Sequence, residues 1–116
     1  MGRIGEAMAA RHLESKGWTI VARNVRKGRE EVDLVAKRGN VLAFVEVKTR
    51  RGSGFGHPLE SINRDKRRGI ARVTRRWLQT AHPPAGTVVR FDAVAVARLP
   101  GGRWAVEHVP DAWRMQ

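Results

Sequence analysis

The chain has 116 residues and a mass of 13.0 kDa, which fits one domain spanning residues 1–116, since compact domains usually run to about 100–150 residues. It contains no cysteine, so disulfide frameworks, zinc ribbons, thiol nucleophiles and iron–sulfur clusters are excluded, and the four histidines are too scattered to form a local metal box. The formal charge of +12 and the sequence pI near 11.7 point to a polyanionic partner, because arginine forks suit phosphate oxygens and such an excess gathers nucleic acid through counterion release. An arginine-rich surface of purely compositional origin is the competing reading of the charge taken alone.

In chain order, residues 2–17 read as a helix ended by Gly17, and Trp18–Asn24 as a strand leaving it. A basic turn, Val25–Arg29, follows. Glu31–Lys37 and Val41–Arg50 are alternating or apolar runs split by Arg38-Gly39-Asn40, the punctuation of an antiparallel hairpin. Arg51–His57 carries three glycines but no Gly-Lys-Ser/Thr ending, which argues against a nucleotide-phosphate cradle. A helical period covers Pro58 to Ala81 and is stopped by His82-Pro83-Pro84. Val88–Leu99 and Trp104–Val109 then read as two strands around Pro100-Gly101-Gly102. This order predicts an α/β sandwich whose sheet starts antiparallel and gains a parallel neighbour through the long helix. No apolar run approaches the roughly 18 residues of a membrane span. Glu6, Arg11, His12 and Glu14 interrupt any signal-peptide core, so a soluble, cytoplasmic protein is expected.

A two-residue Gly39-Asn40 loop would pair Arg38 with Val41, and further along the hairpin Asp33 with Glu46 and Glu31 with Lys48. Alternation then puts these four charged residues on one face and Val32, Leu34, Val45 and Val47 on the other. Two opposed carboxylates repel unless a cation sits between them, and an all-oxygen set without cysteine favours Mg²⁺ or Mn²⁺. Lys48 on the same face would orient a water or stabilise charge on a scissile phosphate. The same spacing also fits an ordinary amphipathic hairpin neutralised in solvent. On the long helix Lys66 falls within the stripe of Leu59, Ile62, Ile70, Val73 and Trp77, where an ammonium needs an anionic neighbour. Arg64, Arg68 and Arg75 fall opposite, as phosphate contacts or as a solvated face. Glu6 shares a face with Ala9, Ala10 and Leu13, a costly place for an acid without a partner; favourable interaction with the helix dipole is the alternative.

Taken together, Gly5-Glu6, Asn24, Glu31-Val32-Asp33-Leu34-Val35-Ala36, Phe44-Val45-Glu46-Val47-Lys48-Thr49-Arg50, Phe55-Gly56, Pro58, Lys66 and Arg90-Phe91-Asp92 resemble the YraN family of small bacterial proteins, over Gly2 to about Val96. That family is placed in the PD-(D/E)xK nuclease superfamily, near the archaeal Holliday-junction resolvases. The resemblance implies a restriction-endonuclease-like α-β-β-β-α-β-β sandwich with a mixed central sheet. It also implies a metal-dependent endonuclease acting on DNA, branched or single-stranded forms included. Asp33 and Glu46 would be metal ligands, Lys48 the catalytic lysine, Glu6 the additional helical acid and metal ligand, and Lys66 an auxiliary site residue, with Mg²⁺ or Mn²⁺ as cofactor. Arg50, Arg51, Arg64 and Arg68 are the expected contacts to nucleic acid. No membrane partner is expected, and a homodimer is compatible with this reading. The alternative is a nucleic-acid-binding module of the same fold with little turnover, serving a partner in recombination or repair. One position departs from the family pattern: Glu30 stands where glycine is usual.

Overall fold

The computed structural model describes residues 2–51 and 62–114. Helix α1 (Gly2–Ser15) buries Ala9, Ala10 and Leu13 along one face. It closes just before Gly17, whose φ of +91° lets the N–H groups of Lys16 and Trp18 both reach the Leu13 carbonyl. Glycine adopts that left-handed conformation without a Cβ penalty.

Strand β1 (Thr19–Lys27) runs further than predicted. Val25, Arg26 and Lys27 are not a turn, because Val32, Glu31 and Glu30 of β2 (Glu30–Arg38) pair with them; the turn is only Gly28-Arg29. The Gly39-Asn40 turn between β2 and β3 (Val41–Arg51) is the two-residue loop expected, with Arg38 opposite Val41 and the ladder continuing to Leu34 opposite Val45.

Helix α2 (Arg64–Ala81) begins at a side-chain cap, Asn63 accepting from the Lys66 N–H, and ends at His82 in the left-handed region. Polar caps of this kind satisfy the otherwise unpaired N–H groups of a first turn. Ile62, buried and outside the helix, shows that the helical period does not extend back through it; Pro58 to Ser61 lie outside the described residues. The helix carries the chain across to β4 (Val88–Arg98), which lies parallel to β3 along its whole length. A 3-10 turn at Pro100–Gly102 leads to β5 (Trp104–Trp113), which outlasts its expected end at Val109 by passing an irregularity opposite Asp92, where Asp111 has φ +51°.

The sheet order is β1-β2-β3-β4-β5, antiparallel except for β3 beside β4. The architecture is thus the mixed α/β sandwich that the element order predicts. On one face α1 packs against Leu34, Ala36, Ala43, Val45, Val94 and Val96. On the other, Ile70 and Val73 of α2 pack against Val35, Leu42, Phe44 and Phe91.

Strands β1 and β2 both depart from simple alternation. Val32 joins the α2 side with Val35, and Val25 and Ala22 of β1 pack on that side too, so Val32 does not share a face with Leu34 as predicted. The reversal falls at Asn24 and Asp33. Arg23–Leu34 and Val25–Val32 pair on either side of them, while Asn24 itself has φ +50°. No helix among the described residues is long and apolar enough to cross a membrane.

Candidate metal centre at an open seam in the sheet

The β2–β3 ladder stops at Leu34–Val45, one step short of Asp33. Beyond it the Asp33 carboxylate takes the place of a backbone carbonyl, accepting the Val47 N–H at 2.7 Å. Asp33 is therefore not the strand-paired neighbour of Glu46 that a continuous register predicts. Its side chain fills the opening between strands, and the two carboxyls still lie close enough to share a hydrogen bond. Glu31 likewise does not face Lys48: the reversal at Asn24 and Asp33 hands it to Arg26, at 2.6 Å, and to the Asn24 amide.

Around this seam lies a pocket of about 290 Å³ lined by Glu30, Glu31, Asp33, Glu46 and Lys66, together with Arg26, Arg29 and Ile70. Glu46 comes from β3, where strict alternation turns it to the α2 side, and is 4% exposed. One of its oxygens, Oε1, lies 3.4 Å from Lys66 Nζ; the other, Oε2, is buried without a hydrogen-bond partner. Lys66, set between Ile62 and Ile70, has in Glu46 the anionic neighbour expected of it. The later start of α2 puts it in the first turn, with its side chain 42% exposed and its ammonium reaching the pocket. Lys48 is partly buried and close to Lys66, Glu46 and Asp33.

From the opposite side α1 contributes Glu6. Its approach depends on Gly5, where a Cβ would collide with the Thr49 hydroxyl of β3. The Asn24 amide donates to both Glu6 Oε1, at 2.8 Å, and Glu31 Oε1, at 3.2 Å, and so draws the two acids together. Oxygens of Glu6, Glu31 and Asp33 lie within 4.8 Å of one another. Asn24 is not among the site residues expected from the hairpin register, and Glu31 is expected on its charged face only as the residue opposite Lys48. The available signal was an asparagine, one of the few residue types that tolerates the left-handed region, opposite the acid in the hairpin.

Electrostatics follow from this crowding. Burial first, and then the neighbouring Glu46 charge, push the Asp33 carboxyl up to about 8, against the opposing effect of the Val47 N–H. Burial and the Lys66 ammonium lower the Lys48 pKa, while Glu46 and Asp33 act the other way. A cation fits such a site chemically. The donors are hard oxygens, one carboxylate oxygen is buried without a partner, and positive charge would offset the burial and the Glu46 repulsion that together raise the Asp33 pKa.

The predicted nucleic-acid contacts are placed as follows. Arg64 and Arg68 are exposed on α2, with Arg68 3.7 Å from Asp65. Arg50 is partly buried on β3 and has an interaction within the protein. Arg51 ends β3, and its side chain lies outside the described residues.

Glu30 reaches across α2 at Gly69, where a Cβ would overlap its side chain, and pairs with Arg72 at 2.9 Å. Asp92 stands apart from the pocket. Fully buried in β4, it accepts from Arg90 Nε and Nη2, contacts His108 Nε2 at 2.7 Å, and takes the backbone N–H of Asp111 at 2.9 Å. Burial alone would raise its pKa, but these hydrogen bonds and the Arg90 charge hold it below the usual carboxylate range. It locks β4 to the irregular end of β5.

Fold and site together define a small α/β sandwich with carboxylates and lysines gathered at a break in its sheet. The chain belongs to the uncharacterised protein family UPF0102, whose model matches residues 5–96. That span nearly coincides with the stretch carrying the YraN-like motifs. The UPF0102 protein SCO5602 of Streptomyces coelicolor is 47% identical over 111 residues, covering 93% of this chain and 84% of the relative. The UPF0102 protein CT2262 of Chlorobaculum tepidum is 43% identical over 97% of this chain and 91% of its own length. A UPF0102 protein of Nocardia farcinica is 45% identical, with coverages of 94% and 85%.

Proposed function

We propose that the protein is a metal-dependent endonuclease of the PD-(D/E)xK type, acting on DNA. The observation that carries this reading is the convergence of Asp33, Glu46, Lys48 and Lys66 on the seam, with a buried Glu46 oxygen lacking a partner. Asp33, Glu46 and Glu6 would hold Mg²⁺ or Mn²⁺, with Glu31 beside them as a further oxygen donor. The bound cation would supply Lewis acidity and an acidified water for attack on phosphorus.

The protein's own residues would do the rest. Val47 N–H fixes the Asp33 carboxylate, so one ligand is oriented before substrate arrives. Lys48 and Lys66 present positive charge where negative charge grows on the phosphate. Release of the Asp33 proton would accompany cation binding, because the ligand must be ionised.

The test is incubation of purified protein with branched, single-stranded and duplex DNA in Mg²⁺ or Mn²⁺ against EDTA, beside an Asp33→Ala control. Metal-dependent strand cleavage by the wild type alone is expected. Binding of the same DNA without product, in either metal, would contradict the enzymatic reading and leave the binding module.

A further inference from the structure

A second cleft, of about 420 Å³, lies between α2 and the C-terminal end of β5. Arg64, Arg67, Arg68, Arg72 and Arg75 of α2 line it, and Arg114 lines it from beyond β5. Ala71 and Trp113, 6% and 5% exposed, give it an apolar floor. No carboxylate lines it among the described residues. Asp65, Glu30 and Asp111 each pair with one of its arginines, at 3.7, 2.9 and 2.8 Å, from outside the cleft, so the lining remains cationic.

The shape of this charge narrows the occupant. Arg64, Arg68, Arg72 and Arg75 recur on one stripe of the helix, about 16 Å long at roughly 1.5 Å per residue. A single small anion is best held by donors converging on a point. A row of planar forks instead suits a linear polyanion, and a nucleic-acid strand offers phosphates at intervals well inside that length. Arg67 is already fixed in place, its Nε donating to the Ile62 carbonyl at 3.0 Å and its guanidinium 5.8 Å from the Trp113 ring centroid. The Glu30–Arg72 pair spans the two pockets, Glu30 lining the acidic one and Arg72 the arginine cleft.

We infer that the arginine cleft is a seat for the phosphate backbone of a nucleic-acid strand, separate from the acidic seam and independent of any hydrolysis there. The experiment is fluorescence anisotropy with labelled single-stranded and duplex oligonucleotides in EDTA, over a salt series. The main variant is Arg68→Ala/Arg114→Ala, which removes one charge from each side of the cleft. Its control is Arg11→Ala/Lys16→Ala, which removes the same charge from two exposed positions, one on α1 and one in the turn just after it, across the sheet from α2.

The cleft variant should bind at least about tenfold more weakly near 0.1 M salt. Its log–log salt slope should shrink by roughly 1.4–1.8 units, since each phosphate that the protein no longer neutralises lowers the slope by about 0.7–0.9. The α1 variant should change affinity less than about twofold. Arg68→Lys/Arg114→Lys, which keeps both charges, should retain most of the affinity and guards against a folding defect. Asp33→Asn should bind at least as tightly as wild type, which separates this seat from the nuclease reading. Equal losses of affinity in the cleft and α1 variants, or competition by inorganic phosphate as effective as that by oligonucleotide, would overturn the inference.

Discussion

At the scale of single residues, two buried aspartates respond to pH in opposite senses. Asp33, with its pKa raised to about 8 in the metal-free protein, keeps its proton where an unfolded aspartate, at about 3.9, has released it. The folded state then binds more protons between those values, so stability falls as pH rises through that window. The metal-free melting temperature should therefore drop between pH 5 and pH 8. Asp33→Asn, unable to ionise, should lose most of that drop and melt higher than wild type at pH 8. Thermal melts in EDTA across this range check it, and parallel curves for the two proteins would count against the burial of Asp33 beside Glu46 as the source of its raised pKa. Asp92 works the other way: its lowered pKa gives stability that is full above the ordinary carboxylate value and lost as pH falls below it. Asp92→Ala should cost about 3–5 kcal/mol, because it leaves the Arg90 guanidinium without its buried counter-charge and His108 Nε2 and the Asp111 N–H without their hydrogen-bond partner. Urea titration at pH 7 would measure the loss, and a change under about 1 kcal/mol would show that water replaces the carboxylate.

At the scale of elements, the packing of α2 on β2 depends on Gly69 making room for Glu30. Alanine normally favours a helix interior over glycine by about 1 kcal/mol, but at this position its methyl group would displace Glu30 and break the pairing with Arg72. Gly69→Ala should thus destabilise the wild type, yet stabilise a Glu30→Ala background by roughly 0.5–1 kcal/mol. A double-mutant cycle reads this change of sign directly, and additive effects would refute the steric argument. The same two elements show what was legible in the sequence. The Gly39-Asn40 turn fixed the pairing from Arg38–Val41 to Leu34–Val45, and alternation then placed Glu46 and Lys48 against Val45 and Val47. The reversal at Asn24 and Asp33 was not legible: asparagine also occurs widely in ordinary strands and turns, and the strand pattern around it looks regular until Asp33 is seen to take the Val47 N–H. The start of α2 was obscured for a related reason. Leu59 and Ile62 continue the apolar period of the helix, and Asn63 marks a cap only once its side chain is seen accepting from Lys66.

At the scale of the whole molecule, the chain carries a net charge of +12 together with an acidic seam, so the proposed attraction of a polyanion and the proposed binding of a cation would fall to different regions of one small fold. In EDTA, DNA affinity should fall steeply with salt, with a log–log slope of several units; a flat dependence by anisotropy would deny that the excess charge serves nucleic acid. The claim on which the functional reading turns is that the seam takes up a divalent cation through Asp33. Isothermal titration of Mn²⁺ into metal-free wild type and Asp33→Asn at pH 8 tests it most directly. Saturable binding by the wild type, with proton release and a raised melting temperature, and loss of all three in Asp33→Asn, is the expected result. Equal Mn²⁺ binding by the two proteins, or none by either, would contradict it.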